Sequence, residues 1–347
     1  MPGWLKRLFA RPLRTRVAVR SIQKLLAPDR AADVWQEGVH SGPTGRLAYR
    51  LFLPTRSSAT ERVPLLVMLH GCKQDAALFA AGTRMNRLAE ARGFAVLYPE
   101  QSRRANFQRC WNWFHADAIA GGGEAALIVA AVNAVSTRQP IDATRIYVAG
   151  MSAGGAMAAL LAARYSTLFA ACGIHSGIMF NAAMSAVQAL RVMRSGAHYT
   201  PEESAQGLVR ELAGELVFVP TIVIHGSADA AVNPVNFSQL IQQLCAVATR
   251  LAPAGAPAVE ARESSYSEGG RRCQQQDFSS GDQLLVRSLA IDHLGHAWSG
   301  GDARFAFHDA DGPDASVHIA EFVLHYRRAP AGAKAGSPLS PSARSGA

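Results

Sequence analysis

No stretch of this 347-residue chain approaches 18 consecutive apolar residues, which excludes a membrane-spanning helix. None of its five cysteines forms a C-x-x-C pair and no His/Cys cluster has ligand spacing, so no zinc site, other metal or organic cofactor is expected. Internal repeats are absent, which excludes a solenoid. Residues 1–24 lack the unbroken apolar core of a secretory signal peptide: seven Lys or Arg are scattered among apolar residues. Acidic residues are missing from both ends. The first 24 residues and the tail carrying Lys334 and Arg344 hold the excess charge of +9, leaving 26 basic against 26 acidic residues between them. A formally neutral body excludes nucleic acid as a partner, because phosphate recognition requires a concentrated basic surface. The ends are expected to differ from the body. A basic segment over residues 1–30 reads as flexible or amphipathic, suited to weak contact with a membrane surface, and the Ala/Ser/Pro/Gly-rich residues 329–347 read as a disordered tail.

What remains is rich in apolar residues, 49% over the whole chain, enough for one large α/β domain over residues 40–328. Strand-like runs at Arg46–Leu53, Val63–Leu69, Phe94–Tyr98, Ile146–Ala149, Thr221–His225 and Leu284–Ile291 alternate with helix-like segments. That rhythm predicts a mainly parallel sheet with helices on both faces. Residues 179–216 break it and are expected to form a helical insertion over the mouth of the site.

One short segment concentrates the chemistry. The apolar run Ile146–Ala149 leads into Gly150-Met-Ser152-Ala-Gly154, and an alanine- and leucine-rich helix former follows. Strand, G-x-S-x-G turn and helix in that order describe a nucleophile elbow with Ser152 at its apex, the glycines permitting a turn too sharp for larger side chains. A serine hydroxyl is a weak nucleophile at neutral pH and needs a base, a group that orients the base, and donors for the developing oxyanion.

In an α/β-hydrolase the acid and then the histidine follow the serine. Thr221–His225 runs as a buried strand into a small-residue turn ending at Asp229, and the glycine-flanked loop after Leu284–Ile291 carries His296. Rivals remain in view. For the base these are His175, early in the chain, and His293. For the acid they are Asp277, Asp282 and Asp292, none of which sits immediately after a buried strand in the right order. His225, within its strand, reads as facing the core or a neighbouring loop. The run Val63–Leu69 breaks at His70-Gly71-Cys72, where the fold presents a backbone N–H to the substrate carbonyl; the N–H of Ala153 should be the second donor. His70 itself reads as a structural residue of that turn.

Four motifs in order, Leu69–Gln74 (L-H-G-C-K-Q), Cys110–Phe114 (C-W-N-W-F), Gly150–Met157 and Gly295–Gly301 (G-H-A-W-S-G-G), resemble the poly(3-hydroxybutyrate) depolymerase family of esterases, which includes feruloyl and acetylxylan esterases. The resemblance spans residues 40–328. It implies an α/β-hydrolase fold, a Ser152–Asp229–His296 triad, Cys72 as an oxyanion donor, and extracellular action on polyester or plant-wall esters. Against export stands the missing signal-peptide pattern, which leaves a cytoplasmic protein as the alternative. The motifs also place Cys72 and Cys110 near the active-site face, consistent with a disulfide between them. Cys245 and Cys273 form a possible second pair, and Cys172 reads as a buried free thiol. Trp111, Trp113 and Phe114 read either as core or as an apolar wall for the ester; Trp298, two residues after His296, is expected beside the reaction centre.

The expected protein is therefore a serine carboxylesterase working through an acyl-enzyme on small-molecule or oligomeric esters, hydroxyalkanoate oligomers or other short-chain esters. A polymer-active depolymerase or a feruloyl or acetylxylan esterase is the alternative. Neither the gating domain of a serine peptidase nor the broken triad of an inactive binding module is visible.

Overall fold

The computed structural model describes residues 35–42, 45–55 and 60–329. The basic segment expected over residues 1–30 and almost all of the tail from 329 lie outside them. The described residues build a ten-stranded sheet ordered β1-β2-β4-β3-β5-β6-β7-β10-β9-β8. Its strands are β1 (Trp35–Gly42), β2 (Gly45–Phe52), β3 (Val63–Leu69), β4 (Ala95–Glu100), β5 (Ile141–Met151), β6 (Ala171–His175), β7 (Thr221–Gly226), β8 (Val259–Glu268), β9 (Arg271–Ser280) and β10 (Gln283–Ile291). From β4 through β3, β5, β6 and β7 to β10 every pairing is parallel, and antiparallel strands flank both sides.

The centre is parallel because its strands are apolar on both faces. All seven residues of β3 are buried. Leu65, Val67 and Leu69 point into one core, Leu66 and Met68 into the other, following the two-residue period of a strand. Helices cover both faces, as expected. α1 (Ala76–Thr83), α2 (Met85–Arg92) and α9 (Ala315–Leu324) supply Phe79, Met85 and Ile319 to the second core. α4 (Gly123–Arg138), α5 (Ala153–Arg164) and α8 (Val235–Leu251) supply Ile128, Leu161 and Leu240 to the first, while the one-turn α3 (Ala116–Ile119) precedes α4. The architecture is that of an α/β-hydrolase.

Residues 179–216 contain two helices, α6 (Ala186–Ser195) and α7 (Pro201–Glu211). Both begin with a designed-in stop for orphan amides: Ser185 accepts from Gln188 N, and Thr200 and Glu203 form a reciprocal capping box ahead of Pro201. The segment joins the first core through Ala189, Val192, Ala205 and Leu208. It also meets the loop after β7, where Asn233 N donates to Met193 O at 2.7 Å.

Four strands were not foreseen, and the sequence explains why. β6 has five residues of mostly small side chains, too short to show a period. β8 is polar and largely exposed and β9 is polar and mostly half-buried, so neither carries an apolar alternation. β1 has no buried residue, its positions being exposed or half-buried in equal number. The suggested Cys245–Cys273 disulfide is also corrected: both thiols are free. Cys245, on α8, packs against the first core, whereas Cys273, on β9, is buried in the second, so the sheet separates them.

Candidate active site

The carboxyl edge of the parallel strands brings Ser152, His296 and Asp229 into one hydrogen-bonded chain. His296 Nε2 lies 3.0 Å from Ser152 Oγ and His296 Nδ1 lies 2.8 Å from Asp229 Oδ2, across 144 and 67 residues of sequence. Ser152 lies between β5 and α5, at the N-cap of α5, with φ 58° and ψ −122°, a conformation a non-glycine residue adopts only when its surroundings enforce it. Its N–H donates to His175 O at 2.9 Å, which pins the turn to β6. The flanking glycines are required by close approach. A Cβ on Gly150 would sit 2.3 Å from Gly154 O, and one on Gly154 would sit 2.1 Å from Leu69 O and 2.6 Å from His70 O.

Asp229 is buried and saturated with donors. Its Oδ1 accepts from Ala231 N (2.9 Å) and Val232 N (2.8 Å), while Oδ2 faces His296. Burial works to raise its pKa, but the His296 hydrogen bond and charge, the Val232 amide and nearby His225 outweigh it and hold the carboxyl at about 2. Asp229 is therefore an anion at neutral pH. It can hold His296 in the tautomer that leaves Nε2 free to take a proton from Ser152.

Two backbone amides beside Ser152 are candidates for oxyanion donors. In the turn after β3, Gly71 N donates to Gln74 Oε1 at 2.9 Å, Lys73 N to Gln108 O at 2.6 Å and Gln74 N to Gly71 O at 3.4 Å. Cys72 N has no acceptor among the described residues. Ala153 N is the first amide of α5, so no helical carbonyl reaches it and the positive end of the helix dipole surrounds it. The two turns are in contact, since a Cβ on Gly71 would lie 3.5 Å from Ser152 Cβ. The turn is also braced from outside by a disulfide between Cys72 and Cys110. Cys172 is buried and free, as expected.

His70 is structural. Its Nδ1 donates to Gly71 O at 2.7 Å, its Nε2 accepts from Gln101 N at 3.1 Å, and its carbonyl accepts from Trp111 Nε1 at 3.1 Å. Burial is the main cause that pushes its pKa down to about 4, keeping it neutral. The rivals for base and acid sit elsewhere. His175 is fully buried, stacked on Trp298 with centroids 5.2 Å apart, and accepts from Ser299 N; His293 is exposed. Asp277 makes a two-pronged pair with Arg287, and Asp282 is exposed at the β9–β10 turn.

The tryptophans require a correction. Trp298 is fully buried, donates to Ser316 Oγ at 3.1 Å and packs edge-on against Phe79. Trp111 is fully buried too, and Trp113 lies in the first core against Phe114. With no exposed surface, Trp111 and Trp298 cannot form a wall of the pocket. They support from behind the turn of His70 and the loop of His296. The aromatic ring that does approach the base is Phe307, its centroid 6.4 Å from that of His296. It lies outside all the recognised motifs, so no sequence signal marked it.

A family model described as "Esterase PHB depolymerase" matches residues 47–266, a span holding Ser152 and Asp229 but ending before His296. Among curated proteins, the poly(3-hydroxyalkanoate) depolymerase C of Paucimonas lemoignei is 32% identical over 238 residues, covering 68% of this chain and 55% of the relative. Feruloyl esterase B of Thermothelomyces thermophilus is 29% identical over 188 residues, 52% of this chain and 64% of the relative. The chain thus spans between half and two thirds of the length of these relatives. Acetyl xylan esterase from Aspergillus awamori shares the fold, with a TM-score of 0.61 at 22% identity over 76% of this chain and 94% of that one. Because the family model matches more than half of its length, this chain belongs to the PHB depolymerase esterase family.

Proposed function

We propose that this protein is a serine carboxylesterase, a reading carried above all by the unbroken chain Ser152 Oγ, His296 Nε2, His296 Nδ1, Asp229 Oδ2. Ser152 Oγ attacks the ester carbonyl while His296 Nε2 takes its proton. The oxygen that becomes negative is received by the amides of Cys72 and Ala153. The tetrahedral intermediate collapses, His296 returns the proton to the departing alcohol, and the acyl group stays on Ser152. Water activated by His296 then attacks the acyl carbon, releasing the acid and restoring the serine. Asp229 remains ionised throughout and stabilises the imidazolium formed in each half. Nothing in this sequence of steps calls for a metal or cofactor.

The preferred substrates are hydroxyalkanoate oligomers and other soluble short-chain esters. Family membership and the depolymerase and feruloyl esterase relatives support ester chemistry of this class. One observation favours a second reading, attack on a polymer surface: Met184, Val187 and Leu190 project an apolar stripe from the start of α6, 60%, 79% and 57% exposed. The Cys72–Cys110 disulfide supports residence in an oxidising, extracytoplasmic compartment. A panel of p-nitrophenyl butyrate, hydroxybutyrate dimers, methyl ferulate and acetylated xylan, compared by kcat/KM, tests the reading. The first two should lead, and Ser152→Ala should abolish all four. A film-clearing assay with wild type and Val187→Glu tests the second reading, which requires clearing that the variant loses.

A further inference from the structure

One buried titratable group near the triad is not used in the steps above. His225 sits on β7, four residues before Asp229, and is 2% exposed. Its Nε2 lies 2.9 Å from Val232 O and 3.6 Å from Asp229 Oδ2. A carbonyl oxygen can only accept, so Nε2 must carry the ring proton. Nδ1 is then a bare lone pair, and it is buried with no donor. Phe237, at the start of α8, covers the ring with centroids 5.7 Å apart.

The hydrogen bonds around this ring form a closed strut. His225 donates to the carbonyl of Val232, and the amide of the same Val232 donates to Asp229 Oδ1. Both faces of one peptide residue are thereby fixed, one by the strand and one by the carboxylate. The neighbouring residue Ala228 is tied to the histidine loop through its N–H to Leu294 O at 3.0 Å. His225 Nε2 is also 3.6 Å from the same Asp229 oxygen that receives His296, close enough for an electrostatic contact but not a second hydrogen bond.

From this arrangement we infer that His225 is a positioning residue for the esterase reaction, acting as a fixed Nε2–H donor that sets the 229–232 turn and so the carboxylate oxygen on which His296 rests. The inference stands on the esterase reading given above. It also accounts for the unpartnered Nδ1. A donor at Nδ1 would favour nothing that Val232 needs, and a second ring proton there would make His225 a cation competing with His296 for Asp229. The titratable groups facing the ring are Asp229, His296 and His175. Burial is the first cause that keeps His225 neutral among them.

The test uses the full-length protein labelled with 15N-histidine. Long-range proton–nitrogen correlations of the wild type should show His225 as the Nε2–H tautomer, together with a downfield proton from the His296 Nδ1–H to Asp229 bond. His225→Gln places an amide nitrogen the same number of bonds from Cβ and should retain the downfield proton and most of kcat. His225→Phe removes the donor; it should lose or broaden that resonance and lower kcat by up to about 100-fold with little change in KM, as expected for a misplaced catalytic group. An Nδ1–H tautomer in the wild type overturns the inference. So does a folded His225→Phe with wild-type kcat and an unshifted resonance, or a folded His225→Gln as impaired as Phe. If His225→Phe does not fold, the wild-type tautomer and the Gln variant still decide. Failure of the esterase reading would look different: wild-type protein without ester turnover, whatever the tautomer.

Discussion

Two glycine-to-alanine substitutions, chemically identical, should move stability in opposite directions. At Gly154 the added Cβ would lie 2.1 Å from Leu69 O and 2.6 Å from His70 O. Both obstacles are backbone atoms at the end of β3, so no side-chain rotation relieves the overlap. The β3 turn would have to move away from α5, separating Cys72 N from Ala153 N. Overpacking of an ordinary core site costs about 1–3 kcal/mol, and a backbone-on-backbone clash belongs at or above the upper end. With a melting shift of about 2–4 °C per kcal/mol for a large domain, Gly154→Ala should melt at least about 6 °C lower and lose most of its esterase activity. Gly207, within α7, has nothing within 4 Å of its virtual Cβ. Gly207→Ala should gain about 0.5–1 kcal/mol by relieving the glycine penalty in a helix, raising the melting temperature by about 1–4 °C with activity unchanged. Differential scanning calorimetry and p-nitrophenyl butyrate turnover on the three proteins decide. A Gly154→Ala that melts with the wild type and turns over normally would refute the close-approach argument.

Truncating the triad should be severe: Ser152→Ala or His296→Ala is expected to lower kcat by about 10⁶-fold, and Asp229→Asn by about 10⁴-fold, with circular dichroism unchanged. Opening the Cys72–Cys110 bridge, which closes a separation of 38 residues, should cost up to about 4 kcal/mol in a urea melt. It should also lower kcat more than it raises KM if the bridged Cys72 supplies the proposed oxyanion amide; reduction without effect on kcat would contradict that role. Two fully buried imidazoles, His70 and His175, are pushed down by burial to about 4 and about 3 from 6.5. Their folded pKa values lie below the unfolded one, so their contribution is complete above pH 6.5 and declines as the pH falls toward 4. Urea melts should therefore show about 3–4 kcal/mol less stability at pH 5 than at pH 7, and equal stability would contradict their neutral burial.

The hydrogen-bonded group Ser152, His296 and Asp229, proposed as nucleophile, base and orienting acid, was legible because the elbow imposes hard constraints on residue type. Gly150 and Gly154 have no room for a side chain, and Asp229 and His296 each follow a buried strand that ends at the same sheet edge. Such steric and topological demands leave traces in a single sequence. Trp298 misled because nearness along the chain is not nearness to solvent: it turns inward to Ser316 and His175 while His296 turns toward Ser152. The polar strands β8 and β9 were silent because they are held by antiparallel pairing, β8 to β9 and β9 to β10, and not by an alternating apolar face. His225 was read as a strand residue facing core or loop, and it does so; its reach to Val232 O depends on the fold of the following turn, which no local pattern encodes.

The central claim is that Ser152 carries the acyl group during ester turnover. Mixing the protein with p-nitrophenyl butyrate, quenching in acid within milliseconds and mapping peptides by mass spectrometry tests it directly. A butyryl group should appear on the peptide containing Ser152, build up with the initial burst of p-nitrophenol, and be absent from Ser152→Ala. Turnover with no acyl adduct on Ser152, or an adduct on another residue that forms at the same rate in Ser152→Ala, would contradict the account.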